Sequence, residues 1–413
     1  MAETIDTQRI YFRNLDILRF IAAYMIVLLH CFFGWQVKFG DPGFLASSLS
    51  PSQMDRFELI MHNFSFGVDV FFIISGFLLT YLLLNEREKN GKVDVMKFYI
   101  RRAFRIWPLY FFMILLAPLL VYFFNEQSPS YALHFTFLGN FDLIANGPKS
   151  VATNHLWSIC IEEHFYLFCP LLIGLIPLRK LPQILLMIIL ACIVFRGYFL
   201  ASTADYGMSY YVHTLSRIDI LALGALFGYL FYYRKITFNH SLPIRFVIYS
   251  TFILLFLNVN YVDSGNFLID TMKKYLYVLP CAYWMGNFLF NPTAVFPMHK
   301  PNILLQFGKA SYGIYMFNPV VIFLLIQLFA KYNWQNYFMF LAVVHVSLAA
   351  VTYLSYKYLE LPFLALKEKY AVIKSGDPLK NKLTEKETEI EQPIVLVQQE
   401  TITVNTGNNT PIP

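Results

Sequence analysis

The sequence predicts an all-α fold: a polytopic bundle of about ten transmembrane helices with both termini in the cytoplasm. Three observations predict it. The 413 residues are 57% hydrophobic and 14% charged, too apolar for one soluble domain of that length. The apolar residues come in runs of about twenty, the length at which a helix crosses the hydrocarbon of a bilayer. The lysines and arginines gather in short stretches between alternate runs, which the positive-inside rule assigns to the cytoplasm.

By apolar length the spans fall at about 15–33, 66–84, 104–124, 160–177, 183–200, 217–233, 245–260, 274–290, 303–329 and 337–357. The loop 85–105 holds Arg87, Lys89, Lys92, Lys97, Arg101, Arg102 and Arg105, and Arg179, Lys180, Arg234, Lys235, Arg245 and Lys300 fall in loops of the same parity. Lys273 and Lys274 run against this pattern and are expected at an interface. The opposite side receives 34–65, 125–159, 201–216, 261–273 and 330–336, and the two longest of these are candidates for a lid or a binding loop. Met1–Arg13 is polar, and no cleavable signal peptide is expected. Residues 1–365 read as one membrane domain. Residues 366–413, rich in Lys, Glu, Gln and Thr, lack the apolar content to fold alone and read as a disordered cytoplasmic tail.

Composition and spacing also exclude. The net charge of +6 lies in loops between spans, so topology explains it and nucleic acid is not an expected partner. The five cysteines show no CxxC or Cys/His ligand spacing, so no metal is expected. Cys31 and Cys160 fall near span ends on one side, which leaves a disulfide open, although buried packing is the plainer reading.

The chemistry-bearing residues lie inside the spans. In the first span, NLDILRFIAAYMIVLLHCFF, ten residues separate Arg19 from His30. Eleven steps make nearly whole helical turns, so both sit on one face about 16 Å apart along the axis. Ionisable groups within a span are costly and point to function. The second span, FGVDVFFIISGFLL, carries Asp69 near its outer end and the small pair Ser75–Gly76 near its middle, where a helix or ligand can approach closely. The third is approached through FYIRRAFRIWPLYFF. There Arg102 and Arg105 stand one turn apart beside Arg101, an arrangement that can fork onto phosphates or simply anchor the helix. The fourth, NHLWSICIEEHFYLFCP, contains Glu162, Glu163 and His164 at the expected outer boundary, level with His30 and Asp69. Glu162 and Glu163 point about 100° apart, so one of them faces a site. Arg217 and Asp219 open the sixth span, Asn318 lies in the ninth, and Glu360 ends the tenth.

Six stretches in register with ten spans resemble the acyltransferase 3 family of integral membrane acyltransferases: LDILRFIAAYMIVLLH, GVDVFFIISGFLL, RRAFRIWPLY, LWSICIEEHFYLFCP, SYGIYMFNP and YLELPF. The resemblance runs from about Leu15 to Phe363. It implies transfer of an acyl group, often acetyl, from acyl-coenzyme A to a hydroxyl of a sugar or glycan acceptor on the extracytoplasmic side of the cell membrane. On that resemblance His30 is the catalytic base with Arg19 its inner partner, Arg102 and Arg105 are the coenzyme-binding pair, Ser75–Gly76 fall on the second-span signature and Glu162 on the fourth-span glutamate. The reading of the spans adds Asp69 to the catalytic side with Glu162, and Arg101 to the coenzyme side with Arg19, Ser75 and Gly76. The chain departs from the family at Asn318, where members often carry histidine. Asparagine hydrogen-bonds but does not titrate, which shifts weight onto His30. Bundles with buried charges also serve as transporters or flippases of polar substrates. No inverted repeat or pair of broken helices in the sequence favours that alternative.

Overall fold

Hydrocarbon supplies no water to bond with backbone N–H and C=O groups, so apolar runs of this length must close their hydrogen bonds internally, as helices. A computed structural model describes residues 12–202, 208–236, 240–259, 267–290 and 303–372. The tail from 373 onward and Lys300 lie outside the described residues.

The helices run in the order α1 (Arg13–Phe39), α2 (Gly43–Ser48), α3 (Pro51–Asn63), α4 (Gly67–Asn90), α5 (Val95–Phe124), α6 (Tyr131–Phe135), α7 (Gly139–Asn146), α8 (Trp157–Leu175) and α9 (Leu181–Ser202). They continue with α10 (Met208–Val212), α11 (Thr214–Tyr232), α12 (Leu242–Asn258), α13 (Phe267–Phe290), α14 (Ile303–Lys309), α15 (Ser311–Lys331), α16 (Tyr337–Ser355) and α17 (Leu361–Glu368). Among the described residues there is no strand. Among the described residues, eight helical segments are long and apolar enough to cross a membrane. Of the ten spans expected, the two outside that set are α12, at 17 residues, and α13, which buries Lys273 and Lys274. Both lysines are enclosed by neighbouring helices rather than exposed.

Helix α1 is central. It packs against α4, α14 and α15, and it buries Leu15, Leu18, Ala22, Ala23, Val27 and Cys31. Helices α4 and α11 pack backbone to backbone. A Cβ at Gly76 would stand 2.0 Å from the Leu221 carbonyl oxygen, and one at Gly224 would stand 2.3 Å from that of Ile73. These glycines let two backbones touch, the device that replaces hydrophobic driving force between helices in lipid. All five cysteines are free and buried, so the Cys31–Cys160 bridge does not form.

The segment between α5 and α8 departs from a surface loop. Ala152, Thr153, His155 and Leu156 are buried, and the Tyr110 hydroxyl donates to the His134 carbonyl at 2.7 Å. Because this segment folds into the bundle, α8 starts at Trp157 already among buried neighbours. A carboxylate one turn into α8 is therefore deeper than apolar length alone suggests.

Candidate active site

Five of the residues singled out in the sequence meet at one cavity of about 80 Å³: Arg19 of α1, Ser75 of α4, Arg102 and Arg105 of α5, and Glu162 of α8. Ser158, Tyr166, Ser311, Tyr312 and Tyr315 complete its polar lining. Glu162 is held at both oxygens: Ser75 Oγ donates to Oε1 at 2.9 Å, and the Tyr166 hydroxyl donates to Oε2 at 2.8 Å. Arg19 is paired with Asp16 at 3.0 Å. Arg102 lies over the Tyr166 ring, 5.0 Å from its centre. Arg102 and Arg105 make no hydrogen bond or ion pair among the described residues. The cavity thus carries an excess of positive charge with guanidinium donors to spare, which suits the phosphates or carboxylate of an anionic ligand.

Two expectations are corrected by this arrangement. Glu162 does not stand level with His30; it belongs to the arginine end, because the buried segment before α8 sets its depth. Its neighbour Glu163 points elsewhere and accepts from Trp107 Nε1 at 3.4 Å. Arg101, expected beside the other arginines, faces away. Its Nη2 pairs with Glu86 Oε2 at 3.1 Å and its Nη1 donates to the Tyr370 carbonyl at 3.0 Å, fastening α5 to α4 and to the chain after α17.

His30 stands beyond the cavity lining, joined to it through α15. Tyr315 lines the cavity, and its hydroxyl shares a 2.6 Å hydrogen bond with Ser158 and donates to the His155 carbonyl at 3.1 Å. One turn further along the same face is Asn318, whose Oδ1 lies 2.6 Å from His30 Nδ1. The amide orientation is set by its other end. Asn318 Nδ2 donates to the carbonyls of Ile314 at 3.0 Å and Tyr315 at 2.7 Å. Its oxygen is therefore the atom facing His30, and an oxygen can only accept. Nδ1 must carry the proton, which leaves Nε2 with a free lone pair. The asparagine that cannot titrate fixes the tautomer a general base requires.

Asp69 and Gly76 lie elsewhere. Gly76 faces the α11 backbone rather than the cavity. Asp69 Oδ1 is 2.9 Å from Arg217 Nη2, both side chains fully buried. Arg217 is enclosed by the rings of Phe72, Trp157 and Tyr211. Beside this pair Arg196 Nη1 meets Asp219 Oδ2 at 2.6 Å, the Tyr275 hydroxyl donates to the same oxygen at 2.6 Å, and Lys274 Nζ donates to the Ser216 carbonyl at 2.9 Å. This network joins α4, α9, α11 and α13. The paired His–carboxylate set expected around His30 is replaced by a His–Asn pair. Sequence reasoning passed over Tyr312 and Tyr315 individually; the spacing of Tyr312, Tyr315 and Asn318, each three apart, marked the face they share. Among the described residues no group of His, Cys, Asp and Glu could hold a metal ion.

A family model described as "Acyltransferase domain" matches residues 12–356. Among curated proteins, a "Putative O-acetyltransferase" of Staphylococcus aureus (strain COL) is 26% identical over 328 residues, covering 72% of this chain and 52% of its own length. The O-acetyltransferase OatA of Staphylococcus aureus (strain NCTC 8325 / PS 47) is 26% identical over 325 residues, with the same coverage of 72% and 52%. The chain spans about half the length of the curated relatives it matches. No solved structure matches.

Proposed function

Because the chain belongs to the acyltransferase-domain family, we propose that it is an integral membrane O-acyltransferase that moves an acetyl group from acetyl-coenzyme A to a hydroxyl of a sugar or glycan. The observation that carries this reading is the convergence of Arg19, Arg102 and Arg105 with a held carboxylate on one cavity, one helix turn short of a tautomer-fixed histidine. The acetyltransferase names of the relatives support acetyl as the group and oxygen as its acceptor.

In this mechanism Arg102 and Arg105 bind the coenzyme phosphates from the cytoplasmic side of the plasma membrane. The pantetheine arm extends toward His30, over a distance comparable to the roughly 16 Å from Arg19 to His30 along α1. The acceptor oxygen attacks the thioester carbonyl carbon from the extracytoplasmic side and the carbon–sulfur bond breaks. His30 Nε2 takes the hydroxyl proton and returns it to the leaving thiolate. General-base catalysis of this kind contributes about 10²–10⁴-fold. Glu162, braced by Ser75 and Tyr166, positions the arginine end. Asp69 serves helix assembly rather than chemistry.

The test is acetyl-coenzyme A turnover by purified protein in detergent, where no gradient can drive transport. Turnover in the wild type, lost in His30→Ala and with coenzyme binding weakened in Arg102→Ala/Arg105→Ala, is the expected result. Folded wild-type protein that neither binds nor turns over the coenzyme would reject the reading in favour of a transporter.

A further inference from the structure

A second, larger cavity lies on the other side of α1 and α4 from the arginines. It encloses about 260 Å³ between α1, α4, α12 and α13, and its walls include Leu18, Met25, Phe64, Phe256, Trp284 and Met285. Every side chain lining it is apolar. Apolar cavities of about 150 Å³ stay dry and take up hydrocarbon, so this slot is large enough for a chain and offers water no partner. It is open on the bundle surface: Ile21 and Ile253, both lining it, are 38% and 54% exposed on helices that face the bilayer.

One end of the slot carries charge. Phe64 begins where α3 ends, and Asn63 Nδ2 ties α3 to the Phe256 and Val259 carbonyls at 2.7 and 2.8 Å. About two turns back along α3, exposed Arg56 donates through Nη2 to Asn258 Oδ1 at 2.6 Å, next to the slot residue Leu257. Helix α3 with α4 makes a helical segment of 40 residues, Pro51–Asn90, about 60 Å long against a hydrocarbon core of about 30 Å. The Arg56 end therefore reaches the polar headgroup layer. Asp55, exposed like Arg56, adjoins it in the chain, whereas Glu58 turns to α1 and accepts from Gln36 Nε2 at 2.5 Å.

We propose that this slot binds a zwitterionic glycerophospholipid, with one acyl tail between α1, α12 and α13, the phosphate on Arg56 and the headgroup ammonium toward Asp55. A cation with an exposed carboxylate next to it complements a phosphate carrying an ammonium and disfavours a lipid whose headgroup is anionic only.

The probe is a phospholipid with dibrominated stearoyl chains, whose bromines quench tryptophan on contact. The protein is reconstituted into phosphatidylcholine vesicles doped with brominated phosphatidylethanolamine or brominated phosphatidylglycerol. The Trp284 component is the wild-type signal minus that of Trp284→Phe. We expect phosphatidylethanolamine to be preferred at Trp284 by roughly fivefold in relative association, the effect of one charge at the membrane surface. Met25→Phe, which fills the slot, removes the quenching; Arg56→Gln keeps it and removes the headgroup preference. Unquenched Trp284, equal or stronger quenching by phosphatidylglycerol, or either variant leaving the signal unchanged overturns the proposal.

Discussion

Two groups of buried charges lie within the same bundle, and they are built in opposite ways. In the network of Asp69, Arg217, Arg196 and Asp219 each ion has a counter-ion within 2.9 Å, and no side chain of the four is exposed. At the cavity, Arg102 and Arg105 are left without a hydrogen bond or ion pair among the described residues, and the one carboxylate lining it is occupied by a serine and a tyrosine. A paired and enclosed set of charges holds helices together, whereas unspent donors around a cavity await a ligand. Charge inside a span is therefore not evidence of a site until its partners are known.

The contrast can be broken by substitution. The largest effect falls on His30: His30→Ala should lower turnover by about 10²–10⁴-fold, with a stability loss no larger than one unmade buried hydrogen bond at Asn318, about 1–3 kcal/mol. The network should behave in reverse. Arg217→Met leaves Asp69 buried without its counter-ion and should cost about 3–5 kcal/mol of stability, read as a fall in melting temperature. The double variant Asp69→Leu/Arg217→Met should recover most of that loss, because two matched apolar groups leave no charge behind. If Arg217→Met instead raises KM for the coenzyme at unchanged stability, the division between the two regions is wrong.

Smaller effects sharpen it. Arg102→Lys/Arg105→Lys keeps the charge and removes the planar fork, which should raise KM for the coenzyme about tenfold with kcat little changed. Asn318→Ala removes the acceptor that fixes the His30 tautomer and should reduce kcat by about 2–10-fold, the worth of one hydrogen bond, with KM unaffected. The smallest effect is a pH dependence outside the spans. Burial pushes His134 below the usual histidine range, against the pull of Asp142, whose Oδ2 is 3.4 Å from its Nε2. The folded state thus prefers the neutral ring. The stability this contributes is present above about pH 6.5 and is lost as pH falls from there through the lowered value, because the unfolded chain binds the proton first. The hydrogen-exchange protection of α6 and α7, taken relative to the intrinsic exchange rate at each pH, should fall as pH drops through and below about 6.5 in the wild type and much less in His134→Gln.

Much of this was legible in the chain. The span lengths, the shared face of Arg19 and His30, and the one-turn spacing of Arg102 and Arg105 follow from helical geometry alone. Glu162 could be picked out as ionisable, but its depth could not, since that depends on Ala152, Thr153, His155 and Leu156 before α8 being buried rather than lying on a surface. Arg101 looked like its neighbours at Arg102 and Arg105 until Glu86 claimed it from 15 positions away. Lys274 read as an interfacial exception because its partner Ser216 is 58 positions distant.

The amino-acid sequence by itself determined that the chain is helical, how long each helix must be and which residues share its faces. Local periodicity and the need to satisfy the backbone in hydrocarbon decide these. The tertiary structure decided which faces meet. It placed Glu162 with Ser75 rather than with His30, gave Asp69 to Arg217, and set Asn318 against His30 with its oxygen forward. Such pairings join residues 87, 148 and 288 positions apart. They are settled by how glycine seams and a buried segment let the helices pack, and no spacing along one helix encodes that.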